Sequence, residues 1–278
     1  CDVNVPDTDN RAVCDIADPK AVASLLDAIG PLDCVVHLAA ITFVPEAMES
    51  PGKVMEINLN GSINLMSAVN QKAPEARFVL VGSSESYGPP QFLPVTEEHP
   101  MNAGNPYAIS KAAADLYGAY LHKSTGANVV RLRPFNHSGP GQSERFVLSS
   151  FAKQIAEIEA GKSEAILRVG NLDVARDFSH VDDIVAAYEL AMHRGEPGEA
   201  YNLCSGKAES LQGALDTLLG LSHAEISVAQ DPARMRPSEV PEVRGAHEKF
   251  TTATGWEPKI SFSQLLESLL DYWRTAVK

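Results

Sequence analysis

The segment Arg77-Phe-Val-Leu-Val-Gly82 is an unbroken apolar run, and the polar turn Ser83-Ser-Glu-Ser-Tyr-Gly88 follows it directly. A strand covered on both faces of a parallel sheet loses the alternation of polar and apolar residues, so this run predicts such a strand. Residues 33–40 and 128–133 have the same character. Helical spacing of apolar residues over 53–70 and 106–123 separates the three runs, which predicts an α/β fold with a doubly wound parallel sheet.

The rest of the chain continues this alternation of strands and helices. Pro134 ends the third strand, and the loop after it contains Gly139-Pro-Gly141. Apolar periodicity predicts helices over 146–160, 181–192 and 211–219, a short strand over 200–204 and an amphipathic last helix over 261–277. The sequence has no internal repeat and no low-complexity linker, so we expect a second, smaller lobe interleaved with the first.

The composition excludes several classes of protein. The chain has 278 residues, of which 44% are hydrophobic and 21% charged, and this suits a globular fold. A net charge of −13 without a basic run argues against nucleic acid or an anionic membrane as partner. Four scattered cysteines predict free thiols in a reducing cytoplasm, and the histidine spacing predicts no metal. No membrane span or signal peptide is recognisable, so we expect a cytoplasmic protein.

A tyrosine and a lysine share one face of the second predicted long helix. In Tyr107-Ala-Ile-Ser-Lys111 they stand four residues apart, about one helical turn. A tyrosine with an ordinary pKa of about 10 is a poor acid–base catalyst at neutral pH, and a neighbouring ammonium is expected to lower that pKa. Such pairs also arise by chance on solvated helix surfaces, so the pair alone does not define a site.

The serine turn after the first quoted strand gives the pair a context. The hydroxyl of Ser83 emerges at the carboxyl end of a buried strand, where open α/β sheets bind ligands. Taken by itself, the segment could equally be an ordinary serine-rich turn. Combined with Tyr107 and Lys111, it predicts a site in which Ser83 orients a carbonyl group, Tyr107 supplies the proton and Lys111 activates the tyrosine.

Five motifs resemble those of the extended short-chain dehydrogenases/reductases, the NAD-dependent epimerase/dehydratase family, in both order and spacing. They are His37-Leu-Ala-Ala40, Asn58-Leu-Asn-Gly61, the Ser83 turn, Tyr107xxxLys111 and Arg133-Pro-Phe-Asn136. The resemblance implies a Rossmann-type fold, NADP(H) or NAD(H) as cofactor, and oxidoreductase chemistry at Ser83, Tyr107 and Lys111. The cofactor-binding residues that it implies are Asp15, Ile16, Leu38, Ala39, Ala40, Asn58, Tyr107, Lys111, Pro134 and Phe135.

The resemblance also divides the chain into two parts. Residues 1–136 and 174–204 would form the dinucleotide-binding domain, and residues 137–173 and 205–278 the nucleotide-sugar-binding lobe.

A dinucleotide fold begins with a strand and a glycine-rich turn that meets the pyrophosphate, yet the first glycine here is Gly30. We therefore expect a truncated sequence that lacks the first strand, the glycine-rich turn and the second strand; a chain that naturally lacks them is the alternative. The choice between NADPH and NADH stays open.

Segments of the second lobe resemble one branch of that family, the GDP-6-deoxy-D-mannose reductases; GDP-mannose 4,6-dehydratases share parts of them. These segments are Arg133–Gln142, Phe151–Gly161, Val169–Asp173 with Arg176, and Gln230–Glu239. The implied substrate is a GDP-linked 4-keto-6-deoxy sugar, with guanidinium groups matching its phosphates. Without the resemblance, surface ion pairs would explain these arginines. The implied substrate-binding residues are Ser84, Asn136, Val169, Asn171, Arg176, Arg236 and Glu239.

Three hypotheses about function follow. The first is reduction of the C4 ketone of GDP-4-dehydro-6-deoxy-D-mannose to GDP-D-rhamnose. The second is a 4,6-dehydratase or a related epimerase, because Glu85 stands where dehydratases place a catalytic carboxylate. The third is a catalytically silent nucleotide-sugar-binding chain. The resemblance also implies a homodimer formed through the helices predicted over 53–70 and 106–123.

Overall fold

The computed structural model describes residues 12–235 and 240–278. The helices are α1 Pro19–Ile29, α2 Val44–Glu49, α3 Pro51–Val54, α4 Ser62–Lys72, α5 Pro106–Thr125, α6 Val147–Glu159, α7 Val181–Arg194, α8 Leu211–Leu221, α9 Glu248–Thr254 and α10 Phe262–Ala276. The strands are β1 Cys34–His37, β2 Arg77–Val81, β3 Val129–Pro134, β4 Asn136–Ser138, β5 Ile166–Val169, β6 Ala175–His180, β7 Ala200–Leu203, β8 Ala208–Ser210, β9 Ser227–Gln230 and β10 Glu242–Val243.

A parallel sheet with the order β1-β2-β3-β7 forms the centre of the first lobe. All three apolar runs of the sequence are strands of this sheet, and β2 is buried between β1 and β3. Helices α1, α4 and α5 cover one face through a core that includes Val22, Leu65 and Leu121. Helices α7 and α9 cover the other face around Ile184 and Phe250. The predicted α/β fold with a Rossmann-type parallel sheet is confirmed.

The second lobe is built on smaller sheets. Strands β4, β6 and β10 pair in parallel, β8 adds to β6 in antiparallel, and β5 pairs with β9. Helices α6, α8 and α10 share one apolar core that includes Phe151, Leu215 and Leu266. Two elements pack with the lobe to which they were not assigned. Strand β6, assigned to the first domain, pairs within the sheet of the second lobe, and helix α9, assigned to the second lobe, packs on the core of the first. The division into two domains otherwise stays a prediction.

The helix predicted over 53–70 is interrupted. Between α3 and α4 the chain forms a π-helix, Met55–Gly61, in which Asn58 and Gly61 are buried. A Cβ atom on Gly61 would lie 2.7 Å from the side chain of Ile16, so glycine lets this turn approach the neighbouring chain closely. Such π-turns within α-helices are rare and often occur at functional sites.

The structure also bears on the expectations about cysteines, membrane-spanning helices and metal sites. Cys14, Cys34 and Cys204 are free thiols, and Cys1 lies outside residues 12–235 and 240–278. Within those ranges no helix has the length and apolar character that crossing a membrane requires. The same ranges contain no group of three or more metal-binding side chains, and the expectation of no metal stays a prediction.

Candidate active site

The serine turn is held at the carboxyl end of the central strand β2. Ser83 is buried, and its Oγ accepts a hydrogen bond of 3.2 Å from the amide of Glu85, which caps the short 3₁₀ turn Ser84–Tyr87. Gly88 ends this turn with φ 65°, a conformation that favours glycine. The capped turn fixes the direction of the Ser83 hydroxyl relative to the sheet.

Helix α5 presents the tyrosine and the lysine to the same place. Asn105 caps the helix by accepting a hydrogen bond of 2.8 Å from the amide of Ala108, and Pro106 occupies the first turn. Tyr107 and Lys111 then lie one turn apart and are both buried, with 9% and 6% of their surface exposed. Ser83 lies near enough to the Tyr107 phenol to lower its pKa by hydrogen bonding. The structure therefore brings Ser83, Tyr107 and Lys111 together, although their catalytic roles stay a prediction.

Burial dominates the ionisation of both helix residues. Desolvation lowers the pKa of Lys111 from 10.5 to about 8. It also raises the pKa of Tyr107 above its ordinary value; the hydrogen bond with Ser83 opposes this shift, and the charge of Glu85 adds to it. Burial therefore determines the direction of the Tyr107 pKa in this structure, and a lowering of that pKa by Lys111 stays a prediction. The Lys111 ammonium donates to the carbonyl oxygen of Val81 at 2.8 Å.

Asn58 ties the segment after β1 to helix α5. Its Oδ1 accepts from the amide of Ile41 at 2.8 Å, and its Nδ2 donates to the carbonyl of Ile41 at 2.9 Å and to Ser110 Oγ at 3.1 Å. Ser62 Oγ donates to the Asn58 carbonyl and contacts His37 Nε2, whose pKa burial lowers to about 3. The amide of Asn58 is thus engaged in positioning the chain around Tyr107. Its predicted contact with a cofactor remains untested.

The residues expected to bind a cofactor differ in exposure. Leu38 is 57% exposed and Ala39 is also exposed, directly after β1 and beside the region that Asn58 organises. Asp15 is exposed too, whereas Ile16 is buried under α4. The remaining three are Ala40, partly buried, and Pro134 and Phe135, both buried. The exposed apolar residues Leu38 and Ala39 could contact the flat nicotinamide ring. The Lys111 ammonium and the Tyr107 phenol could donate hydrogen bonds to the ribose.

A buried ion-pair network supports the end of β3, from which Pro134 and Phe135 continue. Asp115 accepts from Arg133 Nε at 2.9 Å and Nη2 at 2.8 Å, and from Arg131 Nη1 at 2.6 Å. Arg133 Nη1 also donates to the Tyr87 hydroxyl at 2.9 Å. This bidentate arrangement joins β3, α5 and the serine turn, so it keeps the walls of the site in register.

A cavity of about 380 Å³ lies in the second lobe, and Asn136, which follows β3, is among the residues that line it. Of the residues expected to bind substrate, Asn136, Asn171 and Arg176 line it. Val169 packs in the α6–α8 core instead, and Ser84 is part of the 3₁₀ turn. Arg236 and Glu239 fall between the two described ranges.

The cavity contains cations that the sequence analysis did not single out. Arg145, Arg168 and Arg234 line it together with Arg176, and Glu144 is the carboxylate among the lining residues. Arg234 lies within the segment Gln230–Glu239 that carried the family resemblance, so that segment was a usable signal. Arg145 lies in the loop after β4 and had no local signal. Four guanidinium groups on a chain of net charge −13 mark an anion-binding surface.

Glu85 is close enough to both Tyr107 and the cavity-lining Arg176 for its charge to affect their pKa values. It is exposed, and Asn105 Nδ2 donates to its Oε2 at 3.4 Å. Its charge acts on two neighbours: it raises the pKa of Tyr107, and it partly offsets the lowering of the Arg176 pKa by burial. A carboxylate that faces both the phenol and the arginine-lined cavity can act as a base on a ligand that spans them.

Comparisons with known proteins agree with this geometry. The family model for GDP-mannose 4,6 dehydratase matches residues 10–269. The chain belongs to this family. The GDP-6-deoxy-D-mannose reductase of Pseudomonas aeruginosa is 38% identical over 266 residues, which cover 95% of this chain and 87% of that protein. GDP-mannose 4,6 dehydratase 1 of Arabidopsis thaliana, also in the family, is 28% identical over 92% of this chain and 72% of that protein.

A solved structure of a family relative resembles the fold closely. The structure of RMD from Pseudomonas aeruginosa complexed with NADPH has a TM-score of 0.90 and 36% sequence identity, and the match covers 98% of this chain and 90% of that chain. The GDP-mannose 4,6-dehydratase family uses nicotinamide cofactors. The predictions of family and of an NAD(P)-dependent, oxidoreductase-type enzyme of sugar-nucleotide metabolism are confirmed.

Proposed function

We propose that this enzyme reduces the C4 ketone of GDP-4-dehydro-6-deoxy-D-mannose to GDP-D-rhamnose, with NADPH or NADH. The observation that carries the proposal is the buried Ser83–Tyr107–Lys111 constellation, in a chain that also has a cavity lined by four arginines. The constellation suits proton transfer to a ketone, and the arginines suit a diphosphate. The 38% identity to a GDP-6-deoxy-D-mannose reductase supports the choice of this reaction within the family.

The ionisation of Tyr107 fits the reductive direction. Burial raises the pKa of the phenol, so Tyr107 keeps its proton at neutral pH and can donate it to the C4 oxygen. Ser83, which lies near the phenol, orients the same carbonyl oxygen and stabilises the charge that develops on it. Lys111, with its pKa of about 8, is largely cationic at neutral pH and stabilises the phenolate left behind. When bound, the reduced nicotinamide supplies the hydride; this hydride and the Tyr107 proton convert the ketone to an alcohol.

The predicted contacts to cofactor and substrate fit the same proposal. Leu38 and Ala39 would face the nicotinamide nucleotide, and Lys111 would donate to its ribose hydroxyls. Arg176 and the other cavity arginines would bind the diphosphate, and Asn136 would contact the sugar. Arg236 and Glu239 are proposed to complete the GDP site.

A 4,6-dehydratase is the second candidate, and Glu85 is the observation that favours it. Its carboxylate lies near both Tyr107 and Arg176, so it could remove a proton beside a newly formed ketone. A dehydratase would regenerate its cofactor in place and act on GDP-mannose.

The test follows the absorbance of NADPH after addition of GDP-4-dehydro-6-deoxy-D-mannose. We expect loss of the reduced-nicotinamide band together with formation of a GDP-deoxyhexose. No loss of absorbance, with GDP-mannose converted instead, would establish the dehydratase. Binding of GDP without turnover of either substrate would support a silent binding chain. The Glu85→Gln variant separates the two enzymes, because it should retain most reductase activity and should lose dehydration.

We also propose a homodimer in the cytoplasm. Ile109, Leu116 and Tyr120 lie along one side of α5 and are 45%, 59% and 61% exposed. An apolar stripe at this spacing is what a helix presents to a partner helix. Sedimentation of the purified enzyme tests the proposal, and a monomer at micromolar concentration would contradict it.

A further inference from the structure

One arginine of the cavity is restrained by the opposite lobe. Arg145 lies in the loop before α6 and lines the cavity. Its Nη2 is 3.2 Å from Glu46 Oε2, and its guanidinium carbon is 3.9 Å from the centre of the Phe43 ring. Glu46 and Phe43 belong to the segment after β1, so the contact links the first lobe to a residue that lines the cavity. Phe43 also packs edge-on against Phe146.

The bond to Glu46 is of a kind that exchanges readily. The side chains of Arg145 and Glu46 are 50% and 39% exposed, and ion pairs with such exposure contribute little because water screens them. The guanidinium carbon of Arg145 lies over the Phe43 ring. The ring accepts no conventional hydrogen bond, so the N–H groups of Arg145 remain available for a forked bond to an anion. Arg145 can therefore remain stacked on Phe43 while the partner at its edge changes from one anion to another.

The electrostatics of the cavity favour such a change. Arg145, Arg168, Arg176 and Arg234 surround it, and the carboxylate of Glu144 is already bonded by Lys153 at 3.2 Å. Arg234 is paired with Asp231 at 3.4 Å and donates to Ser150. A nucleoside diphosphate entering this space brings phosphate oxygens that accept bidentate bonds from guanidinium. Glu46, in contrast, is not among the residues that line the cavity.

We propose that Arg145 is a substrate-binding residue that exchanges Glu46 for the diphosphate of the nucleotide sugar, with Phe43 as its fixed platform. Glu46 is then an internal competitor: it pairs with Arg145 when no diphosphate is bound and is displaced when the diphosphate binds. The inference rests on the proposed function for the chemical class of the ligand. It adds a binding residue and a restraint on ligand entry contributed by the dinucleotide-binding lobe.

The test measures the dissociation constant of GDP by calorimetric titration of the intact enzyme. Arg145→Ala should weaken GDP binding about tenfold, the loss expected for one charge-assisted contact. Glu46→Gln should act in the opposite direction and tighten binding about two- to fourfold, because the competing charge is removed. In the double variant the effect of Glu46→Gln should disappear, since its partner is absent.

The matched control is another exposed ion pair whose cation also lies near an aromatic ring. Lys249 lies 2.7 Å from Glu199 and 5.2 Å from the centre of the Tyr201 ring. Glu199→Gln should leave the affinity for GDP unchanged, which excludes a general effect of net charge.

The outcomes separate the inference from the proposed function. Weaker or unchanged GDP binding by Glu46→Gln would overturn the exchange. If the ion pair only stabilised the contact between the lobes, both single variants would bind GDP more weakly. In turnover assays Arg145→Ala should raise KM and leave kcat nearly unchanged. If the wild-type enzyme does not bind GDP at all, the proposed function fails; if it binds GDP and all variants bind equally, only the role of Arg145 fails.

Discussion

Replacing the active-site lysine by methionine should stabilise the fold while abolishing activity. Burial lowers the pKa of Lys111 from 10.5 to about 8. Since one pKa unit corresponds to about 1.4 kcal/mol, keeping the ammonium in this position costs about 3 kcal/mol at pH 7. Methionine preserves the length of the side chain but removes the donor to the Val81 carbonyl, a loss of about 1 kcal/mol. Lys111→Met should therefore raise the free energy of unfolding by about 2 kcal/mol.

The pH dependence identifies the cause of this gain. The free-energy cost of the buried Lys111 ammonium is fully present below pH 8, where the lysine is protonated in both the folded and the unfolded chain. Above that pH the folded-state lysine loses its proton first, so the penalty declines as the pH approaches 10.5, the ordinary value. The advantage of Lys111→Met over wild type should fall to about 1 kcal/mol at pH 9.

Urea unfolding at pH 7 and pH 9, followed by the fluorescence of Trp256 and Trp273, measures the gain in the free energy of unfolding at each pH. Lys123→Met is the control, because Lys123 lies on the same helix α5 but is exposed. That variant should change stability by less than about 0.5 kcal/mol at either pH. A destabilised Lys111→Met variant, or a gain of the same size at both pH values, would refute the reasoning.

Three further substitutions test other parts of the molecule. Tyr107→Phe should abolish turnover and leave the dissociation constant of GDP nearly unchanged; residual activity above about 1% would contradict its role as the acid. Arg176→Ala should raise KM about tenfold with little change in kcat, and an unchanged KM would remove Arg176 from the diphosphate site. Glu159, whose pKa its bonds to Arg274 lower to about 2, stabilises the fold above its ordinary pKa of 4.5 and less as the pH falls towards 2. Glu159→Gln should therefore lower the free energy of unfolding by about 3 kcal/mol at pH 7 and by less than half of that at pH 3, as measured by urea unfolding.

The central fold could be predicted because its signals are local. The run over Arg77–Val81 contains its own evidence of burial on both faces, and so does the run before Pro134. Helix α5 was predicted over 106–123 from its apolar spacing, and the structure shows that Asn105 and Pro106 begin it and Gly126 ends it. These elements alone place Ser83, Tyr107 and Lys111 at one edge of the sheet.

Features that depend on distant residues could not be predicted. The pKa of Tyr107 follows from burial by the whole fold rather than from the lysine one turn away. Arg145 meets Glu46 across 99 residues of sequence, and no periodicity reports such a contact. Strand β6, Ala175–His180, is mostly polar in sequence and was not predicted, and its partners β4 and β10 belong to the second lobe.

The π-helical segment Met55–Gly61 acts as an insertion in the helix that it interrupts. A π-turn holds about one residue more than an α-turn, and each residue turns an α-helix by about 100°. The buried side of α4, with Leu65, Met66 and Val69, is therefore oriented by this extra residue. Shortening the segment by one residue would rotate that side away from α1 even if every side chain of α4 were kept. The segment should tolerate many substitutions in its exposed positions but no change in its length.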